Sequence, residues 1–276
     1  MYTKCKLCQS EVKLKNETLN LVQCNECDFI FCSTKFSQDD LKKVYDELYN
    51  KNVNSHYSRH VIDEYETLKK GKIPSIGLNR KRIVDKFIKK TTNNILEIGS
   101  GVGLLGAYLR NRNIQKYTGI ELDEETFEKS RELNLNAIHG DFSLMKNLNI
   151  EFDIVMLWEV LEHLQDIKSF LNLSHEKLVV GGHLLFSVPN YNKVKNYPSS
   201  LIGDNIHQDN PPIHINFFTK NNIPKILEMN GFKIEYLYIK KIPYFSPFSM
   251  NFYKMLFKVI FNTYHGSTIF VAAKKV

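Results

Sequence analysis

From Asn94 onward, short apolar runs alternate with longer stretches in which apolar residues recur every three or four positions. The runs Asn94–Ile98, Tyr117–Glu121, Ala137–His139, Phe152–Leu157 and His183–Val188 predict strands, and the stretches after Gly103, from Glu124 and ahead of His183 predict amphipathic helices. Such alternation builds a parallel sheet covered on both faces, because each crossover lays a helix over the strands. Phe232–Ile239 and Thr268–Ala273 read as two closing strands, which completes a doubly wound, mostly parallel, seven-stranded α/β sheet. Upstream, Ser37–Lys70 is rich in Tyr, Asp and Lys and reads as helices around a loop at Asn50–Ser55. The organisation expected is a small lobe over residues 1–36, a helical linker or cap over 37–74 and the α/β domain over 75–276.

With 43% hydrophobic and 24% charged residues in 276, the chain is globular rather than disordered and can bury one full core plus a small appendage. No apolar run approaches the roughly 18 residues of a membrane span, and no apolar stretch follows the first charges, so a cytoplasmic protein is expected. Met250–Phe261 is apolar nearly all round but too short to cross a bilayer; core or homodimer packing is expected of it. The net charge of +7 is concentrated: Lys69 to Lys90 holds nine Lys or Arg against the single acid Asp85. A basic stripe can meet nucleic acid or an anionic substrate. Ile83, Val84, Phe87 and Ile88 lie between the charges at helical spacing, which favours the plainer reading of a solvated helix face.

Four of the five cysteines form two matched pairs, Cys5-Lys-Leu-Cys8 and Cys24-Asn-Glu-Cys27, separated by 15 residues that include the alternating Val12 and Leu14. Each pair can wrap one side of a tetrahedral ion, and a hairpin between them would bring the halves together, so a structural zinc is expected. A disulfide or a redox pair would not explain two matched motifs. Cys32, in the apolar run Phe29–Cys32, reads as a small buried hydrophobe.

The stretch Ile95–Gly106 runs a short strand into a glycine turn that opens a helix. In a doubly wound sheet that turn lies where ligands bind, and bare backbone lets a ligand approach. Gly101-Val-Gly103-Leu-Leu-Gly106, with Glu121 twenty residues beyond Gly101, also satisfies a dinucleotide pattern. Glu97 beside the turn is awkward for a pyrophosphate but suits a ligand bearing an ammonium and a sulfonium. Asp141, after the third strand, is placed to accept from an adenine amino group.

Motif by motif, residues 75 to 276 resemble the class I S-adenosylmethionine-dependent methyltransferases, which have a Rossmann-like sheet. ILEIGSGVG is similar to their first motif, YTGIELD to the second strand, HGDF to the third, FDIVMLWEVLEHLQD to the fourth motif of the ubiquinone-type O-methyltransferase branch, and GGHLLFSVPN to the fifth. The resemblance implies that Glu97 lies near the methionine end of S-adenosylmethionine, or of its product S-adenosylhomocysteine. Gly99, Gly101 and Gly103 would line the cofactor, Glu121 with Leu122 would hold the ribose, and Asp141 and Phe142 would flank the adenine. Trp158 could cover the cofactor or fill core. His163, His214 and Glu159 are the catalytic candidates, with His163 or His214 as base. Glu159, Glu162, His163 and His214 could together hold a second divalent ion, in an arrangement similar to that of small-RNA 2′-O-methyltransferases and some quinone O-methyltransferases. The alternative is that the acids favour a helix start and His163 is a packed core residue. Pro211-Pro212 suggests a fixed loop, and Asp204 to Asn210 a lid. The expected partner is a small polar or anionic acceptor, with RNA methylation or a non-catalytic binding module as alternatives.

Overall fold

The computed structural model describes residues 1–37, 39–41, 43, 56–114, 116–192, 210–241, 248–261 and 265–276. The loop expected at Asn50–Ser55 and residues 204–209 of the expected lid lie outside them.

A hairpin opens the chain. β1 (Val12–Asn16) and β2 (Leu21–Cys24) pair antiparallel, and β3 (Ile30–Cys32) adds to β2. Helices α1 (His56–Lys69) and α2 (Leu78–Phe87) precede the central sheet. Its first strands are β4 (Ile95–Ile98), β5 (Tyr117–Glu121), β6 (Ala137–His139), β7 (Phe152–Trp158) and β8 (Leu178–Pro189). Between them run α3 (Leu104–Asn111), α4 (Glu124–Glu132) and α5 (Ile167–Lys177). The short β9 (Asn216–Phe217), α6 (Asn222–Glu228), β10 (Phe232–Ile239), α7 (Met250–Ile260) and β11 (Thr268–Lys275) complete the order.

The central sheet runs β10-β11-β8-β7-β4-β5-β6. The five strands from β8 to β6 are parallel, and β11 runs antiparallel between β8 and β10. The fold is therefore the expected doubly wound, Rossmann-like sheet. Local chemistry sets its helix starts: Asp123 accepts from the Thr126 amide at 2.8 Å to cap α4, and Asp166 accepts from Ser169 at 3.1 Å to cap α5.

Both faces of the sheet are buried, so β7 alternates between two cores. Val155 and Leu157 pack with Phe170, Leu171 and Ile226 on one side, while Ile154, Met156 and Trp158 pack with Ile83, Val84 and Leu105 on the other. The start of β8 differs from expectation. It begins at Leu178, not His183, because Val179–Gly182 bulge between the partners of Phe152 and Ile154 and the ladder resumes beyond them.

Two findings concern the ends of the chain. β9 completes the sheet of the N-terminal lobe: Ile30 pairs with Phe217 and Phe31 with Asn216. Phe29 stacks on Phe31 at 5.3 Å and tilts against Phe218 at 5.9 Å, so the lobe shares a core with α6. The second finding corrects the core packing expected of Met250–Phe261. In α7 only Met255 is buried, with Phe252 and Val259 half-buried on the same side, while Met250, Tyr253, Phe257, Ile260 and Phe261 are exposed. One-sided contact leaves the outer arc of an apolar helix in solvent. No described helix is long and apolar enough to cross a membrane.

Phe29→Ala, at a ring with no exposed surface, is expected to cost about 3–5 kcal/mol in urea denaturation. A loss below about 1 kcal/mol would show that this ring is not part of the shared core.

Candidate functional site

A cleft of about 1730 Å³ opens at the carboxyl ends of β4 to β7, where an open parallel sheet presents its loops. Gly101 and Gly103 differ in what they do there. Gly101 lines the cleft at φ 57°, and a Cβ built on it would meet nothing within 4 Å, so the missing side chain is missing on the open side. Gly103, at φ 83°, is the left-handed N-cap of α3, and its Cβ would collide with the Leu135 side chain. It is not among the lining residues, whereas Gly99 is.

The acids around the turn are held tightly. Glu121 accepts from the Gly101 amide at 2.7 Å and from the Asp123 amide at 2.9 Å, which clasps the turn to the end of β5. Burial raises its pKa, against the pull of those amides. Glu97 is 3% exposed and accepts from the Tyr117 hydroxyl. Burial pushes its carboxyl up to about 8, although Tyr117 and Arg80 favour the charged form. Asp141, exposed, accepts from the Ser143 amide at 2.8 Å and so caps the turn Phe142–Asn147; Phe142 meets Phe170 edge-on at 5.6 Å. Leu122 lies exposed at the rim. Trp158 is 7% exposed, lines the cleft under the Arg80 guanidinium at 5.2 Å, and its buried indole N–H has no acceptor among the described residues. Such an orphaned donor costs about 1–3 kcal/mol unless a ligand supplies an acceptor.

A second cluster follows β7. His163 and His214 meet edge to face at 4.7 Å, and the ligand atoms of Glu162, His163 and His214 lie within 4.8 Å of one another. The His163 Nδ1–H donates to the Ile213 carbonyl at 2.8 Å, which leaves Nε2 as the basic nitrogen, 3.9 Å from a Glu162 carboxyl oxygen. Burial lowers the His163 pKa, so its ring is neutral near pH 7. The fourth expected member stands apart from this group. Glu159 accepts from the Ser187 hydroxyl at 2.6 Å, and its backbone sits in the left-handed region at φ 54°, which strains a residue with a side chain.

In the N-terminal lobe, Cys5, Cys8, Cys24 and Cys27 converge with no disulfide. Sulfur separations are 3.7 Å for Cys5–Cys27, 3.4 Å for Cys8–Cys24 and 3.8 Å for Cys8–Cys27. A tetrahedron with arms of about 2.3 Å has edges of about 3.8 Å, so the four sulfurs could hold a zinc ion. A hydrogen bond from the Cys27 thiol pulls Cys5 down to about 5, while Cys27, the donor, is raised. Cys32 points elsewhere, toward the Leu19 carbonyl. The lobe also walls the cleft, through Tyr2, Lys4 and Lys6 among others.

The model of the family described as "Methyltransferase domain" matches residues 73–237, well over half of the chain. The chain belongs to the methyltransferase-domain family. Among curated relatives, it is 26% identical over 130 residues to the ubiquinone biosynthesis O-methyltransferase of Coxiella burnetii, covering 45% of this chain and 55% of that protein. The chain spans about half the length of the curated relatives it matches. Its fold is similar to the crystal structure of an S-adenosylmethionine-dependent methyltransferase from Archaeoglobus fulgidus, with a TM-score of 0.57, 20% identity and coverage of 80% of this chain and 100% of that one. It is also similar to phosphoethanolamine N-methyltransferase 2 of Haemonchus contortus, solved with S-adenosylmethionine, with a TM-score of 0.58, 18% identity and coverage of 89% and 61%.

Sequence reasoning missed several groups in this methyltransferase-family cleft. Tyr117 on Glu97, Ser187 on Glu159 and Arg80 over Trp158 each join residues far apart in the chain. Only the parallel register of β4 with β5, Glu97 opposite Gly119, could have pointed to Tyr117 two places before.

Because the folded-state pKa of Glu97 lies near 8, above its ordinary 4.5, the folded state holds a proton that the unfolded state has lost across that window. Stability therefore falls as pH rises from about 4.5 to about 8. Glu97→Gln, which mimics the neutral acid, is expected to flatten this slope and to melt higher than the parent at pH 8 in ligand-free thermal scans. An unchanged slope would count against a buried, protonated Glu97.

Proposed function

We propose that this chain binds S-adenosylmethionine in the cleft and transfers its methyl group to an oxygen of a small polar acceptor. The observation that carries the reading is Gly101, whose backbone is bare toward the cleft and whose amide is fixed by Glu121. The donor set also fits. Glu97 would face the methionine ammonium, Glu121 the ribose hydroxyls, and Asp141 and Phe142 the adenine, while the Trp158 N–H offers an unused donor. When bound, the sulfonium supplies a methyl group already activated for transfer. The protein's part is then to hold the acceptor in line in a dry pocket and to take its proton.

His163 suits that last task. Its tautomer is set by Ile213 and its ring is neutral, so Nε2 can receive the proton of an acceptor hydroxyl as the new carbon–oxygen bond forms. Glu162, His163 and His214 could instead hold a divalent ion that lowers the hydroxyl pKa. Transfer to oxygen rather than nitrogen is supported by the ubiquinone O-methyltransferase relatives. Gln165, Asp166, Lys168 and His214 line the same cleft and suit a hydroxylated or phosphorylated acceptor such as a sugar, a nucleotide-sugar or a glycan precursor. We assign a structural zinc to Cys5, Cys8, Cys24 and Cys27.

Titration calorimetry with S-adenosylhomocysteine is expected to show binding that Gly101→Val weakens at least tenfold, and absence of binding to the parent would sink the proposal. In transfer of a labelled methyl group to candidate acceptors, His163→Ala is expected to lower the rate by about 10²–10⁴ if the imidazole is the base. Chelator-sensitive transfer restored by added divalent ions would assign the cluster to a metal instead. Metal analysis of the purified chain is expected to give one zinc, lost in Cys27→Ser together with the structure of the lobe. A metal-free chain with an intact lobe would refute that assignment.

A further inference from the structure

The outward arc of α7 has no role in the cleft, and it is built like a surface for something else. Met250 is 72% exposed, Ile260 69% and Phe257 62%, with Tyr253, Leu256 and Phe261 also exposed. At 100° per residue these side chains fall on one side of the helix, opposite Phe252, Met255 and Val259, which face the protein. Lys254 and Lys258 stand on the flank between the two sides. An exposed apolar patch of this size on one helix marks a contact surface.

Charge decides what kind. Lys240 and Lys241 precede the helix, Lys254 and Lys258 lie on it, and no Asp or Glu occurs between Glu235 and Val276. Two copies meeting through this face would bring lysines toward lysines with no acid from the same stretch to receive them. A bilayer with anionic headgroups complements both features, since its acyl boundary accepts the apolar arc and its phosphates accept the flanking ammonium groups. We propose that α7 is a membrane-surface helix, lying in the plane of an anionic bilayer with Met250, Tyr253, Phe257, Ile260 and Phe261 inserted and Lys254 and Lys258 reaching the lipid phosphates.

The helix also adjoins the cleft along the chain. Ser267 and Thr268, a few residues after Phe261, line it. A consequence that rests on the methyl-transfer reading is that an amphiphilic acceptor could reach this edge of the cleft without leaving the lipid surface. The docking itself does not depend on catalysis, so its test needs neither cofactor nor acceptor.

The full chain is floated with vesicles of phosphatidylcholine alone and with a roughly 60:40 mixture of phosphatidylcholine and phosphatidylglycerol. Binding to the anionic vesicles is expected, at least tenfold weaker in Phe257→Asp/Ile260→Asp and about fivefold weaker for each lysine replaced in Lys254→Gln and Lys258→Gln. Because these positions are outside the core, the melting temperature of each variant should stay near that of the parent, which separates lost docking from lost folding. Failure of the parent to float would overturn the proposal, as would equal binding to neutral vesicles or unchanged binding of the double variant. A parent dimer in sedimentation equilibrium that Phe257→Asp/Ile260→Asp splits would also overturn it, because the face would then belong to a second copy.

Discussion

Ile215 joins the two halves of the molecule through one peptide unit at each side. Its amide donates to the Glu162 carbonyl at 2.9 Å, and its carbonyl accepts from the Cys32 amide at 2.9 Å. The next residue repeats the link with side chains: Asn216 donates to the Leu161 and Leu164 carbonyls and accepts from the buried Lys6 ammonium at 2.9 Å. The cysteine lobe and the turn carrying Glu162 and His163 are thus held against the same short strand, with His214 immediately before it. A lobe that serves only as an appendage would not need a strand from the α/β domain to complete its sheet. Here the lobe and the turn bearing the imidazoles share hydrogen-bond partners on one strand, so their positions are fixed together.

The same arrangement explains what could be read from the chain and what could not. The two cysteine pairs and the glycine turn are local, because their chemistry needs fixed spacings of a few residues, and both could be located without coordinates. The central sheet was equally legible, since its central strands β4 and β7 are buried on both faces and its parallel strands are separated by amphipathic helices. The partnership of β3 with β9 was hidden: Phe31 and Asn216 carry no periodic signal that one will pair with the other. Glu159 illustrates a subtler failure. Spacing along a helix start grouped it with Glu162 and His163, but its left-handed backbone turns it toward Ser187 instead. In α7 the residues read as apolar nearly all round, and only the neighbours on one side could tell exposed from buried.

Burial sets the electrostatics of the cleft. Glu97 and Glu121 lie on adjacent strands, and both are pushed toward the neutral acid by desolvation. Their hydrogen bonds differ, however. Glu121 already accepts from one amide on each oxygen, which fixes its carboxylate and shapes the turn with a lone pair left on each oxygen, whereas Glu97 has one phenol and a distant guanidinium. A cationic ligand would therefore gain most beside Glu97, where it would draw off the proton and replace lost solvation with a direct charge pair.

The two ends of the cleft draw on different parts of the chain. The end assigned to the cofactor is built from the ends of four successive strands and their turns, β4 to β7, so its geometry follows from the sheet itself. The other end gathers Tyr2 and Lys6 from the lobe, Gln165 from the turn before α5, His214 from the approach to β9 and Thr268 from β11. Gln165 shows how these are held: it accepts from the Phe36 amide at 2.9 Å and donates to the Phe36 carbonyl at 2.8 Å, fixing a wall residue to the segment that leaves the lobe. Apart from Thr268, which pairs with Pro189 in the β11–β8 ladder, these residues lie outside the ladders of the central sheet, so substitutions among them can reshape that end of the cleft while leaving the glycine turn untouched. On the methyl-transfer reading proposed above, acceptor choice would follow from the lobe and its fastening as much as from the sheet, since the lobe supplies part of that wall.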